Sequence, residues 1–273
     1  MTGASRFLGA LDLQQLDGDL FVSPAAGFGR GRIFGGQAVA QALRAAGLTM
    51  DNPRHVHSLH CYFIRPGRPE EPLHYEVSRT RDGRAFSTRH VTAGQEGKPI
   101  FEMIASFHDP EPGEDWPPAV PPPVPPPEDL RPVEFPWLFG SDQPVEIRPV
   151  TMPAPGAFPV THPYWIRLAT PVDADPLLHA CLLSYLSDIA VVRAARAPRS
   201  QPPQPEDRYD LLVSLDHSLW FHRPPRTGQW LLCSMAPVAH VGARGLAQGS
   251  IHGADGALIA SVAQEALIRP AAG

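Results

Sequence analysis

The chain has 273 residues, of which 43% are hydrophobic, enough for one large or two medium domains with buried cores. Its formal charge of -5 is spread without long runs, and this excludes a nucleic-acid-binding groove. Cys61, Cys181 and Cys233 are widely separated in apolar segments, which predicts buried reduced thiols rather than a metal site or a disulfide framework.

The start of the chain carries no signal for export or for a membrane. Charged residues such as Arg6 and Asp12 interrupt the first twenty positions, so the apolar stretch of a secretory signal is missing. No later run approaches the roughly 18 uncharged apolar residues that a spanning helix needs. We therefore expect a soluble, cytoplasmic protein with no membrane partner.

The first half of the chain predicts a short strand, a long helix and an antiparallel meander. Residues 19–23 alternate as a strand, and residues 36–46 form an apolar helix that we expect Gly47 to end as a left-handed C-cap. Four long strands are then predicted at residues 56–64, 73–82, 85–96 and 99–109.

Proline is over-represented, with 34 residues, many of them within residues 117–127. A tract without backbone donors is typical of an extended polyproline II linker, and a ligand for a proline-binding module is the alternative. A second segment, residues 198–210, is rich in proline and charge and predicts a surface loop.

The second half repeats the order of the first. Short strands are predicted at residues 145–149 and 164–168, followed by a helix that begins with Asp175 as N-cap and Pro176 as first helical residue and runs to Asp188. The meander that follows is predicted at residues 212–222, 229–239, 243–252 and 257–268.

The two halves also share a sequence plan. Residues 57–66 and 216–224 each place an aromatic pair shortly before Arg-Pro, and residues 97–107 parallel 256–267, at an offset of about 158 residues. One apolar helix and a meander share a core only if the sheet wraps around the helix. The sequence therefore predicts an α+β double hot-dog fold, two tandem repeats of an antiparallel sheet around a long helix. The predicted boundaries are 1–115 for the N-terminal hot dog, 116–128 for the linker and 129–273 for the C-terminal hot dog.

Ordered segments resemble the acyl-CoA thioesterase II family over nearly the whole chain. The segments are residues 34–37, 57–67, 81–89, 98–101, 105–107, 185–188, 215–222 and 262–265. The resemblance implies an enzyme of fatty acid and lipid metabolism that hydrolyses acyl-CoA to a free acid and CoA, with no metal or other cofactor. Ile189-Ala190 departs from the polar and aromatic pair common in the family, so the resemblance does not extend to acyl-chain preference.

The resemblance also implies that three residues of the C-terminal hot dog position a water, namely Asp188, Ser214 and Gln264. Thioester hydrolysis needs a held, partly deprotonated water and donors where the oxyanion develops. Asp188 can accept the proton, and the other two side chains can donate and accept hydrogen bonds. The expected oxyanion donor is a backbone N–H at the start of the first helix, where Gly35 and Gly36 obstruct least, and Gly36 is the residue we assign.

Each of these residues has an ordinary alternative. Asp188 could simply end its helix, and Ser214 could be a plain strand serine. Gln264 is more telling, because it interrupts an apolar strand and its counterpart in the first repeat is Ala105. A polar side chain in only one repeat is what one active site per chain would require.

The histidines receive no catalytic role from the sequence. His57 and His60 are interpreted as half-exposed strand residues rather than general bases, and His217, next to Asp216, as part of a framework. The absence of a Gly-x-Ser-x-Gly elbow disfavours a serine-nucleophile thioesterase.

Two rival functions remain open beside the thioesterase. An enoyl-CoA hydratase of the same fold would need an Asp-His pair, but no histidine follows Asp188 within five residues. A non-catalytic acyl-CoA binder would keep the fold without turnover. Long strands also leave unpaired edges or faces, so we expect a homodimer or higher homo-oligomer.

Overall fold

The computed structural model describes residues 7–24, 31–52, 54–116, 119–154, 157–170, 172, 175–196 and 211–269. Its helices are α1 Gly35–Leu48, α2 Pro136–Phe139, α3 Pro176–Ser187 and α4 Val191–Ala194. The strands of the first repeat are β1 Gln14–Asp17, β2 Leu20–Val22, β3 His55–Phe63, β4 His74–Asp82, β5 Phe86–Gln95 and β6 Lys98–His108. Those of the second are β7 Val145–Pro149, β8 Tyr164–Leu168, β9 Leu211–Ser214, β10 Asp216–Phe221, β11 Leu231–Val241, β12 Arg244–Gly253 and β13 Leu258–Arg269.

All these strands form one antiparallel sheet with internal two-fold symmetry. The order β1-β2-β4-β5-β6-β3 in one half is mirrored by β7-β8-β11-β12-β13-β10 in the other. The two halves join edge to edge where β3 pairs with β10, for example Leu59 opposite Leu219. The predicted double hot-dog fold is therefore confirmed, with the two sheets continuous rather than separate.

The long helices α1 and α3 pack against each other in opposite directions inside this sheet. A Cβ on Gly36, near the start of α1, would lie 2.5 Å from the carbonyl oxygen of Tyr185 at the end of α3. A Cβ on Gly47 would lie 2.4 Å from Leu177 Cδ2, at the start of α3. The two contacts lie at opposite ends of the pair, so the start of each helix meets the end of the other.

The prediction that Gly47 forms a left-handed C-cap is wrong. Helix α1 continues through Gly47 to Leu48, with Thr49 as its C-cap. The glycine serves the close approach of Leu177 instead, a tertiary contact that local sequence cannot show. The start of α3 was predicted correctly, since Asp175 Oδ1 accepts a hydrogen bond from the Leu178 N–H at 2.8 Å and Pro176 is in the first turn.

The sequence predicts no run that approaches a membrane-spanning helix, but the stretch Pro176–Ala194, which contains α3 and α4, is long and apolar enough to span one by length and composition alone. Most of it is buried inside the fold, as a core helix of a soluble protein also is. The cysteines fit the same core: Cys61, Cys181 and Cys233 are buried and free, as the sequence predicted.

The proline-rich segment lies against the second repeat. Trp165 donates its indole N–H to the Pro125 carbonyl at 3.0 Å, and His252 Nε2 is 2.9 Å from the Ala119 carbonyl oxygen. A short 3₁₀ turn, Pro127–Asp129, follows. Residues 119–126 are thus held along one face rather than free. The predicted surface loop at residues 198–210 lies outside the described residues.

The predicted strand 212–222 is interrupted at Leu215, which separates β9 from β10. Both pieces pair with β13, but the register shifts by one residue between Ser214↔Ala266 and Ser218↔Ala263. Such a bulge changes which side chains face inward, because strand side chains alternate. Ser214 and His217, three positions apart, can therefore both face the core.

Candidate active site

Asp188 is the C-cap of α3 and lies against the start of α1. A Cβ on Gly35 would approach its Oδ2 to 2.8 Å, and one on Gly36 would approach its Cβ to 3.2 Å. The α1 N-cap residue, Phe34, makes no side-chain capping bond, and the first turn of α1 has no acidic residue. The Gly36 backbone hydrogen-bonds Asp188, so the second repeat supplies the negative group that the start of α1 lacks.

Burial raises the pKa of Asp188 to about 7, although hydrogen bonds from the Gly36 backbone and the Gln264 side chain act in the opposite direction. Among the described residues, Asp188 Oδ1 has no hydrogen-bond partner. A buried carboxyl with a pKa near neutrality and an open acceptor oxygen has the properties of a general base.

Gln264 links the other two residues. Its side chain is fully buried on β13, and its Nε2 donates to Ser214 Oγ at 2.7 Å. The same side chain hydrogen-bonds Asp188. The structure therefore brings Asp188, Ser214 and Gln264 together, from α3, β9 and β13, although they are far apart in sequence.

His217 also belongs to this cluster, although the sequence predicts no catalytic role for it. Its Nδ1 is 2.6 Å from Gln264 Oε1, and its Nε2 is 2.9 Å from Ser187 Oγ. Burial lowers the pKa of His217 to about 4, so the ring is neutral near pH 7.

A signal for His217 was present in the sequence repeat. The offset between the repeats is 158 residues for β3 and β10, so His217 corresponds to Leu59, and 159 residues for β6 and β13, so Gln264 corresponds to Ala105. Leu59 and Ala105 face each other across β3 and β6, so the first repeat has an apolar pair where the second has two hydrogen-bonded polar groups. Comparing inward positions between repeats would have identified both polar residues.

His57 and His60 are strand residues outside this cluster, as the sequence predicts. His57 is half-buried and bonds Ser106 Oγ at 2.7 Å, while His60 is exposed on the outer face of the sheet, 3.1 Å from Ser218 Oγ. Within the described residues, no group of three or more His, Cys, Asp or Glu side chains could hold a metal ion.

Comparison with known proteins agrees with this architecture. Residues 24–108 match the model of the acyl-CoA thioesterase N-terminal domain, and residues 136–267 match the acyl-CoA thioesterase model. Human acyl-coenzyme A thioesterase 8 is 37% identical, over 95% of this chain and 87% of the relative. Acyl-CoA thioesterase 2 of Haemophilus influenzae is 34% identical, over 95% of each chain.

Solved structures give the same result. The crystal structure of the acyl-CoA thioesterase II TesB2 from Mycobacterium marinum superposes with a TM-score of 0.79 at 35% identity, covering 97% of this chain and 98% of that one. A tesB protein from Mycobacterium avium subspecies paratuberculosis has a TM-score of 0.82 at 30% identity, covering 98% of this chain and all of that one. This chain therefore belongs to the acyl-CoA thioesterase II family, and it is a hydrolase that acts on thioester bonds.

Proposed function

We propose that this enzyme hydrolyses acyl-CoA to a free acid and CoA through a water held by Asp188, Ser214 and Gln264. The observation that carries the proposal is the open Oδ1 of Asp188, a fully buried carboxyl whose other contacts come from the Gln264 side chain and the α1 backbone. Ser214 is bound to the same glutamine at 2.7 Å, so a water between Asp188 and Ser214 would meet one proton acceptor and one hydroxyl, both held in place by Gln264.

In the proposed reaction, the ionised Asp188 removes a proton from the water as its oxygen attacks the thioester carbonyl carbon. The C–S bond then breaks, and the CoA sulfur takes the proton back from Asp188. The Gly36 N–H is the proposed oxyanion donor, and it hydrogen-bonds Asp188 in this structure. Protonation of Asp188 weakens that bond at the moment when negative charge develops on the substrate oxygen, so the N–H becomes available when it is needed.

The test is CoA release, followed with a thiol reagent, from short, medium, long and branched acyl-CoA esters. Release from any of them supports the hydrolase. Binding of acyl-CoA without release would instead favour the non-catalytic binder, and water addition to an enoyl-CoA would favour the hydratase.

We expect kcat/KM to fall as the pH drops through about 7, because burial raises the pKa of Asp188 to that value and only the ionised form is a base. His217 cannot cause this fall in kcat/KM near pH 7, since its pKa is about 4. The measurement is a pH–rate profile between pH 5 and 9 under subsaturating substrate. A profile that stays flat down to pH 5 would contradict the role of Asp188.

We also propose a homo-oligomer that uses the outer face of the central strands. Tyr62, Ile104 and Trp220 are 64%, 43% and 38% exposed, and strand pairing places them on one face. Exposed aromatic and aliphatic side chains on one face, set among polar residues such as His60 and Ser218, are the type of surface that another copy of the chain can cover. Sedimentation of the wild type and of Trp220→Glu would test it, with a smaller particle expected for the variant.

A cytoplasmic location and domain boundaries at 1–115, 116–128 and 129–273 remain part of the proposal.

A further inference from the structure

We propose that His217 and Ser187 are positioning residues, which fix the orientation of the Gln264 amide so that its NH₂ faces Ser214 and Asp188. The inference rests on the proposed function of Gln264. It concerns a chain of hydrogen bonds from Ser187 Oγ through the His217 ring to Gln264 Oε1.

All the hydrogen bonds between Ser187, His217 and Gln264 can form together in only one arrangement of their protons. A neutral imidazole has one donor and one acceptor nitrogen. Gln264 Oε1 can only accept, so the 2.6 Å contact requires a proton on His217 Nδ1. Nε2 must then accept a hydrogen bond, and the Ser187 hydroxyl, 2.9 Å away, is the group that can donate it. Ser187 Oγ also lies 2.9 Å from the Ser184 carbonyl oxygen, but its single proton must point to His217 to satisfy the buried nitrogen.

The opposite arrangement is disfavoured at the site itself. A proton on Nε2 would leave the Nδ1 lone pair facing the Gln264 oxygen at 2.6 Å. Turning the amide over would relieve that contact, but its oxygen would then face the Asp188 carboxyl. In a buried site two facing acceptors repel strongly, because neither is screened by solvent. The histidine tautomer and the amide orientation therefore determine each other.

The arrangement has a consequence for Ser214. Gln264 Nε2 donates to Ser214 Oγ at 2.7 Å, so the serine accepts that bond and keeps its own proton for another acceptor. With the amide reversed, Ser214 would have to donate to Gln264. His217 thus controls whether Ser214 presents its O–H to the reacting water or substrate.

The positioning role of His217 is tested with two substitutions, of which only one provides a hydrogen-bond donor near the Nδ1 position. His217→Asn places an amide N–H near that position, whereas His217→Leu introduces the residue found at the equivalent position of the first repeat, Leu59. We expect His217→Leu to lower kcat/KM at least about tenfold, and His217→Asn to recover most of that loss. His252→Asn is the matched control, because His252 is equally buried but bonds Ala119 away from the site.

The pH profile separates positioning from a general loss of packing. The Gln264 hydrogen bond lowers the pKa of Asp188, so losing it should move the acid limb of kcat/KM to higher pH in His217→Leu and, to a smaller extent, in Ser187→Ala. The other titratable groups coupled to Asp188, Cys61 on β3 and Tyr164 on β8, have pKa values raised by burial and stay neutral near pH 7. An unmoved limb in His217→Leu, or equal activity of the Leu and Asn variants, would overturn the proposal.

The tautomer of His217 can also be measured directly in the wild-type protein, without catalysis, and this decides the question even if a variant does not fold. In wild-type protein labelled with ¹⁵N-histidine, the His217 imidazole should show a protonated Nδ1 and an unprotonated Nε2 at pH 7, and Ser187→Ala should perturb the Nε2 signal. A proton on Nε2 would refute the inference. If the wild type shows the expected tautomer but releases no CoA, the proposed function fails while the hydrogen-bond arrangement stands.

Discussion

Replacing Asp188 with asparagine should lower kcat by about 10²–10⁴-fold, the usual contribution of a positioned general base. The amide keeps the size of the side chain but cannot accept the proton of the water. The measurement is steady-state CoA release at pH 8, where the wild-type carboxyl is ionised. A variant that keeps a rate within about tenfold of the wild type would remove Asp188 from the proposed mechanism.

The same substitution should leave the fold intact. The folded-state pKa of Asp188 is raised from 3.8 to about 7, so its stabilising contribution is present below pH 3.8 and lost as the pH rises through 7. Above that pH the ionised carboxyl costs on the order of 4 kcal/mol. The Asn variant is therefore expected to melt no lower than the wild type at pH 8. Asp175→Asn is the control at the other end of α3, because asparagine caps a helix as well as aspartate does.

Replacing Gly36 with alanine should damage both stability and activity. The new Cβ would lie 2.5 Å from the Tyr185 carbonyl oxygen, which belongs to the backbone of α3 and cannot rotate away. Separating the helices should cost about 1–3 kcal/mol or more. It also displaces Asp188, and a shift of about 1 Å can reduce a rate by about 10²-fold. Alanine is otherwise the better helix former by about 1 kcal/mol, so a loss would report the contact between the helices.

Thermal unfolding and CoA release measured together would test this prediction. Gly113→Ala is the matched control, since a Cβ at Gly113 would meet no atom within 4 Å. A Gly36→Ala protein as stable and as active as that control would show that the two helices do not need to approach so closely. Activity lost without any change in stability would place the effect on the Gly36 N–H rather than on packing.

The strands were predictable because several of them, such as β5, β7 and β13, alternate between buried and less buried side chains. Observed β7 and β8 have the predicted bounds, and β3 to β6 begin and end within one residue of them. The interruption at Leu215 was not predicted, because a bulge depends on the partner strand and leaves no signature in an apolar run. Gly47 was misinterpreted for a similar reason: its neighbour Leu177 is distant in sequence.

For the active site, residue types could be predicted but their connections could not. The resemblance gave Asp188, Ser214 and Gln264, and the structure brings them together. The contribution of α1 to the surroundings of Asp188 follows from the packing of one repeat on the other, which depends on the whole fold. His217 was visible only as a difference between the repeats. Its partner Gln264 is set by the pairing of β10 with β13, and its partner Ser187 by the packing of α3 on the sheet.

The Asp188 carboxyl of the second repeat meets the first turn of α1 in the first, so the site is built across the junction of the two halves. Covalent linkage makes that junction intramolecular, and the site stays assembled at any dilution. Two halves expressed as separate chains would have to find each other first, and their joint activity would rise with concentration. Tandem fusion also frees each repeat to diverge: one can keep the polar pair His217 and Gln264 while the other fills the same positions with Leu59 and Ala105.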